Sequence, residues 1–259
     1  MSPRALSNFL AEKFNSDAGC VSSARLALAR ACQRTLPQQC AFCAAPSGRL
    51  LVCAPCHAGL VRIDSACPRC ALPTPAGAVC GACLAHPPPF AAAFAAFVYT
   101  FPLDRLMQAF KYGGRLSHGD FFAAALAERV ALRPLGTHGP DALIALPLAQ
   151  TRQRERGFDQ AAEIARGVAR MTGVPLTTGL RRTRDTPAQA ALPWKQRAAN
   201  VRGAFVADAS LAGRHIAIID DVMTTGATIA SAASAVLRAG ARGVEAWTVA
   251  RTLPPAQSR

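Results

Sequence analysis

Between Cys40 and Cys83 the chain uses one spacing twice, Cys-x2-Cys-x9-Cys-x2-Cys, at an offset of 27 residues. Cys40, Cys43, Cys53 and Cys56 form the first copy, and Cys67, Cys70, Cys80 and Cys83 the second. Pro46 with Pro73 and Val52 with Val79 keep the same offset. A Cys-x2-Cys knuckle puts two sulfurs on one side of a tight turn, and two knuckles supply the four thiolates of a tetrahedral metal site. Eight cysteines therefore predict two such sites, in a segment with little apolar material for a core of its own. Structural zinc is the expected ion. Iron–sulfur ligation and disulfides are the competing accounts, since thiolates take iron readily, but two self-similar ribbon-sized units suit zinc. The x2 spacing does not suit a disulfide framework, and no positively charged leader with an apolar core precedes it. Consecutive pairing within each repeat is preferred, because each repeat then closes as its own hairpin pair; interleaved pairing stays open. Cys20 and Cys32 fall outside the pattern and are expected as buried small hydrophobes. His57 and His86 are expected as bystanders, the thiolate count being complete.

A second stretch constrains the other end of the chain. Ile216, Ile218 and Ile219 are β-branched and nearly continuous, as in a strand buried on both faces of a parallel sheet. Asp220 and Asp221 follow, then Val222, Met223, Thr224, Thr225, Gly226, Ala227 and Thr228. Ile229, Ala232, Ala233, Val236 and Leu237 recur at helical spacing, and Gly240 reads as the helix stop. A strand, turn and helix in this order aim backbone N–H groups and the positive helix end at an anion above the carboxyl edge of the sheet. Gly226 allows close backbone approach, and Thr224, Thr225 and Thr228 add hydroxyl donors. Two carboxylates beside a phosphate would repel it, so they must face sugar hydroxyls or a magnesium ion.

Composition sets the frame. A chain of 259 residues holds one larger domain of roughly 160 and a smaller appendage. Alanine supplies much of the 51% hydrophobic content, and no stretch approaches the ~18 strongly apolar residues of a membrane span. Without a targeting signal, the cytoplasm is the expected location, in keeping with reduced thiolates. The formal charge is +14, from 29 basic and 15 acidic residues. Two divalent ions on eight thiolates contribute −4, leaving about +10 for attraction to nucleic acid or phosphate-rich substrates.

Along the chain, residues 1–36 are expected as a helical extension, with Arg25, Arg30 and Arg34 on a polar side and Leu28, Ala31 and Leu36 available for packing. Residues 37–86 are the double ribbon. His86 to Phe90, with three prolines, marks a boundary, and the main domain runs over 91–253. Strands are predicted at 97–101, 143–148 and 244–249 besides the one before Asp220, and helices at 103–110, 121–130 and 158–169. Strands separated by helices argue for an α/β sheet.

Three basic clusters fall in this domain. Lys111 lies between Phe110 and Tyr112, before Gly113, Gly114 and Arg115; Arg152, Arg154 and Arg156 follow the strand ending at Leu148; Arg181 and Arg182 precede Thr186, Gln189, Arg197 and Asn200. Each alone reads as a solvated basic loop. Together they could neutralise a ligand with several phosphates.

The stretch 216–228 resembles the 5-phosphoribosyl 1-diphosphate (PRPP) motif of type I phosphoribosyltransferases. The cysteine-rich head, the run from Phe110 to Arg115, the run from Arg154 to Gln160, and the spaced Arg182, Thr186, Gln189, Arg197 and Asn200 resemble the ComF family, over almost all of the chain from Cys40 to Arg251. The resemblance implies a type I phosphoribosyltransferase-like parallel sheet flanked by helices, carrying a small N-terminal double zinc ribbon. It implies magnesium-bound PRPP, a nitrogen acceptor that attacks C1 of the ribose, and release of pyrophosphate. Asp220 and Asp221 would hold the ribose, residues 224–228 the 5-phosphate, and Lys111 with Arg154 and Arg156 the diphosphate. Related members commonly have Asn where this chain has Asp159, which keeps an acceptor and loses an amide donor. A non-catalytic PRPP- or nucleotide-binding protein that handles single-stranded DNA, linked to the competence machinery, is the alternative. The residues name neither the acceptor nor the oligomeric state.

Overall fold

The computed structural model describes residues 38–112, 117–133, 138–184, 201 and 203–254. The N-terminal helical extension with Cys20 and Cys32, Gly113 to Arg115, and Thr186, Gln189, Arg197 and Asn200 lie outside the described residues. The chain divides into two compact units, Met1–Leu60 and Val61–Arg259.

In the first unit, β1 (Gln38–Gln39) and β2 (Pro46–Gly48) form an antiparallel hairpin, followed by the short helix α1 (Ala54–Ala58). The second unit opens on the second cysteine repeat, where an Ala66–Pro73 bridge stands in for the hairpin and α2 (Gly81–Ala85) for α1. The repeat carries over into the backbone. Cys40 N–H donates to the Ala45 carbonyl at 2.8 Å and Cys67 N–H to the Leu72 carbonyl at 2.8 Å. Ala44 and Ala71 both adopt left-handed φ, 58° and 56°. Alanine is disfavoured there by about 1–2 kcal/mol, a cost the knuckle offsets by closing its sulfurs onto one centre.

The rest of the second unit runs β3 (Ala92–Val98), α3 (Leu103–Tyr112), α4 (Ser117–Ala131), β4 (Ala142–Ala145), α5 (Gln150–Arg156), α6 (Gln160–Thr172), β5 (Leu180–Arg182), β6 (Phe205–Ala207), β7 (His215–Met223), α7 (Ala227–Arg238) and β8 (Gly243–Arg251). Four strands form a parallel sheet in the order β3-β8-β7-β4, and β5 pairs with β6 as a separate antiparallel hairpin. Helices α4 and α6 pack on the sheet and against each other, while α7 packs on β6, β7 and β8. With cover on both sides, β8 is buried at every position but its first and β7 at six of its nine.

Side chains alternate between the two faces. Ala93, Ala95, Ile144, Ile216, Ile218 and Ala246 share one core cluster with Ile229, Ala233 and Val236 of α7. Ile63 and Ala71 belong to the same cluster, so the second cysteine repeat is seated in the core of the sheet unit. On the opposite parity, Phe94 meets Trp247 edge-on with ring centroids 6.3 Å apart.

Several elements differ in extent from the sequence expectation. The first strand of the sheet spans Ala92–Val98 instead of 97–101, because the chain turns before Pro102 into α3. The strand expected over 143–148 stops at Ala145, ahead of Pro147, which has no N–H to extend a ladder. The strand before the threonine turn runs on through both acids to Met223, because its pairing with β8 continues as Asp220 with Thr248, Val222 with Ala250 and Met223 with Arg251.

Helices α4 and α6 cross at Gly167, where an added Cβ would lie 2.4 Å from the Ala123 Cβ. Gly167→Ala should therefore destabilise the protein by about 1–3 kcal/mol through overpacking, despite alanine's better helix propensity. Urea unfolding would show the lower midpoint.

Candidate functional site

The eight paired cysteines gather into two groups, Cys40 with Cys43, Cys53 and Cys56, and Cys67 with Cys70, Cys80 and Cys83, each with its sulfurs within 4.8 Å of one another. This is the consecutive grouping preferred from the spacing. The Cys43 and Cys53 sulfurs are 3.7 Å apart and those of Cys70 and Cys80 3.6 Å. A tetrahedral ion with bonds of about 2.3 Å to sulfur requires edges of about 3.8 Å, so both sets fit such an ion. All eight thiols are free of disulfides.

Backbone donors prepare the ligands. Cys53 N–H donates to Cys40 Sγ at 3.3 Å, and Cys80 N–H to Cys67 Sγ at 3.4 Å. Burial alone would raise both thiols, but donors including these bring Cys40 down to about 6 and Cys67 down to about 7. Hydrogen bonding within the group pushes Cys56 up to about 12, and burial followed by the neighbouring thiols raises Cys83. Four thiolates crowd together only around a cation, and soft sulfur donors select zinc or iron over hard ions. The first group is the more open, with Cys43 exposed; in the second, Cys67 and Cys83 are buried.

At the carboxyl end of the sheet, β7 presents its two acids to different surroundings. Asp221 Oδ2 lies 2.8 Å from Lys111 Nζ, and its Oδ1 accepts from Val222 N–H at 2.6 Å. Asp220 Oδ1 accepts from Asp221 N–H at 2.8 Å. Burial would lower the Lys111 ammonium, but the Asp221 and Asp220 carboxylates outweigh it and hold Lys111 above its ordinary value. Burial, then the Asp221 charge, pushes Asp220 well above the usual carboxylate range. One acid of the pair is thus already matched with a cation, and the other has no ion-pair partner among the described residues.

The chain then turns through Thr224, Thr225 and Gly226 into α7. Gly226 has φ 81° and caps the helix without a side chain, and Thr225 Oγ1 accepts from Ala227 N–H at 3.2 Å. Asp220, Val222, Met223, Thr224, Gly226, Thr228 and Ile229 line a small polar recess here. A recess at a helix N-terminus, with hydroxyls on its rim, suits a phosphate.

Because β4 and β7 run parallel, the segment after β4 leaves from the same edge. It forms the helix α5 in place of the expected basic loop. Arg156 lies 5.1 Å over the Tyr112 ring and donates to Gln160 Oε1 at 2.7 Å and to Tyr112 Oη at 3.3 Å. Arg154 is exposed. Arg152 Nη2 and Arg156 Nε are buried without a hydrogen-bond partner among the described residues, so they are available to an anion. Asp159 acts purely as an acceptor, capping α6 through Ala162 N–H at 3.0 Å and taking Leu148 N–H at 3.4 Å. Arg181 and Arg182 are occupied in the β5–β6 hairpin, Arg181 with Asp208 at 3.0 Å and Arg182 over Phe205 at 5.4 Å.

The structure adds residues that spacing did not single out. Tyr112 and buried Gln160 hold Arg156, and Arg251 ends β8 beside the threonine turn. An arginine closing a largely apolar strand was the one sequence signal for Arg251.

Residues 20–84 match the double zinc ribbon domain family. The chain is 33% identical to the DNA utilization protein YhgH of Escherichia coli K12 over 225 residues, 85% of this chain and 99% of that protein. It is 31% identical to competence protein F of Haemophilus influenzae over 178 residues, 66% of this chain and 78% of that protein. Among solved structures, a purine phosphoribosyltransferase from Pyrococcus horikoshii aligns with 54% of this chain and 89% of its own, at 17% identity and a TM-score of 0.31. That last likeness is too slight to carry an argument.

Proposed function

The chain belongs to the ComF/YhgH family, with a double zinc ribbon at its amino-terminal side, and from that premise we propose that its sheet unit binds PRPP with magnesium and transfers the phosphoribosyl group to a nitrogen acceptor. The observation that carries this reading is the course of β7, which sets Asp221 against Lys111, leaves Asp220 without an ion-pair partner among the described residues, and leads directly into the Thr224–Thr228 turn. The cysteine groups would hold two structural zinc ions.

In this reading Asp220 and Asp221 accept hydrogen bonds from the ribose hydroxyls, with Lys111 holding the Asp221 carboxylate in place. The backbone from Val222 to Thr228, with the threonine hydroxyls, receives the 5-phosphate. Lys111, Arg154 and Arg156 supply positive charge toward the diphosphate. Bound magnesium would neutralise diphosphate charge and orient the leaving group. The acceptor nitrogen forms its bond to C1 as the bond from C1 to the diphosphate oxygen breaks; pyrophosphate leaves with the electron pair, and the nitrogen loses its proton to solvent. The protein contributes orientation and charge and no covalent nucleophile. Calorimetry with PRPP, with and without magnesium, followed by pyrophosphate release across a panel of nitrogenous acceptors, tests the proposal. No heat of binding in either condition would end it.

Asp220 makes the binding pH-dependent. Its raised pKa means that the ligand-free fold favours the protonated carboxyl, a contribution to stability present at low pH and lost as pH rises through the folded pKa. A magnesium-bound ligand favours the anion, so binding should release protons and weaken as pH falls through the folded pKa of Asp220, by up to about tenfold per unit. Binding enthalpies measured across a pH series in buffers of different ionisation enthalpy give the proton count; a value of zero at every pH would contradict the role of Asp220.

The kinship with a DNA utilization protein and a competence protein, together with the formal charge of +14, favours a second reading, a cytoplasmic DNA-handling role in which the pocket binds PRPP or a nucleotide without turnover. Binding to single-stranded DNA should then fall steeply with salt and show little sequence dependence. No association at low salt would remove it.

A further inference from the structure

Arg251 is only 3% exposed, and each hydrogen bond of its guanidinium ends on a backbone carbonyl. Nε donates to Cys70 at 2.9 Å; Nη1 donates to Met223 and to Thr252, each at 2.9 Å, and also to Thr224. No carboxylate pairs with it among the described residues. A buried cation requires a counter-charge. Four thiolates around a divalent ion carry a net −2, and Cys70 belongs to the second thiolate group. A loaded site would therefore be the counter-ion of Arg251, whose charge already feels the Cys70, Cys80 and Cys83 thiols.

The same guanidinium sets the entry to the threonine turn. In a trans peptide the carbonyl and the following N–H point in opposite directions. Anchoring the Met223 and Thr224 carbonyls on Arg251 turns the N–H groups of Thr224 and Thr225 the other way, and keeps two carbonyl oxygens from facing an anion. We propose that Arg251 is a positioning residue that ties the Met223–Thr224 turn to the second metal site, so that the phosphate-binding loop holds its shape only while Cys67, Cys70, Cys80 and Cys83 hold their ion. The proposal rests on the reading of this loop as the PRPP cradle, and it gives the second ribbon a task that the first does not share.

The test uses the full-length, metal-loaded protein and Arg251→Lys. A lysine keeps the charge, but its single ammonium cannot reach Cys70 and Thr224 with the spread of a guanidinium. Hydrogen exchange of the ligand-free variant should show amides 224–228 exchanging at least about tenfold faster than in wild type, with the sheet amides unchanged. Chelator challenge with mass-resolved labelling of freed thiols should show about tenfold faster exposure of Cys67 to Cys83 and no change at Cys40 to Cys56. PRPP affinity should fall at least about tenfold, as expected for a distorted anion nest. Arg242→Ala, which removes a surface cation paired with Asp141, should change none of these. If wild type does not bind PRPP, the cradle reading falls, while exchange and metal release still decide the role of Arg251. Wild-type exchange and release in Arg251→Lys would overturn the proposal. Should the variant not fold, reciprocity supplies the test: saturating magnesium and PRPP must tighten metal binding by the second group of wild type in an equilibrium chelator competition, and an unchanged affinity overturns it.

Discussion

Asp220→Asn will weaken magnesium-dependent PRPP binding by roughly tenfold to a hundredfold without lowering the melting temperature, whereas Asp221→Asn will weaken binding and lower stability together. Each carboxylate lost as an acceptor of ligand hydroxyls removes a charge-assisted hydrogen bond of about 1.5–3 kcal/mol, and the double variant should lose at least about a hundredfold. The two acids differ in what they leave behind. Burial already penalises the Asp220 charge in the free protein, so asparagine relieves that penalty. Asp221 is the partner of Lys111 at 2.8 Å, and its side chain is 12% exposed against 18% for the lysine. Removing it strands a mostly buried ammonium, at a cost of about 2–4 kcal/mol, somewhat below that of a fully buried pair. Thr224→Val with Thr225→Val should instead impair 5-phosphate recognition with a smaller magnesium dependence. Calorimetry and thermal melts of these variants separate the roles; an Asp220→Asn protein with wild-type PRPP affinity would show that the acids do not touch the ligand.

Cys67→Ser will lower the melting temperature of the sheet unit by roughly 10 °C or more, whereas Cys40→Ser will remove the first metal and leave the sheet transition in place. Local metal binding and local folding are one equilibrium, worth about 10–16 kcal/mol in isolated zinc-finger peptides. The two repeats spend it in different places. The described part of the first unit, which ends at Leu60, is a hairpin and the short helix Ala54–Ala58. In the second, Ile63 and Ala71 lie in the sheet core, Ala93 N–H donates to the Pro68 carbonyl at 2.9 Å, and Arg62 pairs with Glu128 of α4 at 2.9 Å. Loosening that repeat by about 4–5 kcal/mol shifts the melting of a unit of this size by roughly 10–20 °C. Calorimetric scans with metal analysis check the contrast, and equal effects of the two substitutions would contradict it.

The spacing of the cysteines favoured the consecutive grouping while leaving the interleaved one open, because a Cys-x2-Cys turn is a local object whose backbone geometry repeats wherever the spacing does, and the fold settles which turns meet. The strand, turn and helix around Asp220 and Thr225 were legible for the same reason: β-branched runs, a glycine and helical periodicity act over neighbouring residues. The parallel sheet followed from alternating elements. The basic segment 152–156 was misread as a loop because its charges hide helix formation that carries no apolar face. Tertiary structure alone decided which residues meet. Lys111 reaches Asp221 from another element, and Arg251 reaches Cys70 across 181 residues of sequence. No propensity or period spans such distances. Spacing also treats the two cysteine repeats as equals, and only the packing of Ile63 and Ala71 against the sheet assigns the second to the core and sets its metal site beside the turn that would receive phosphate.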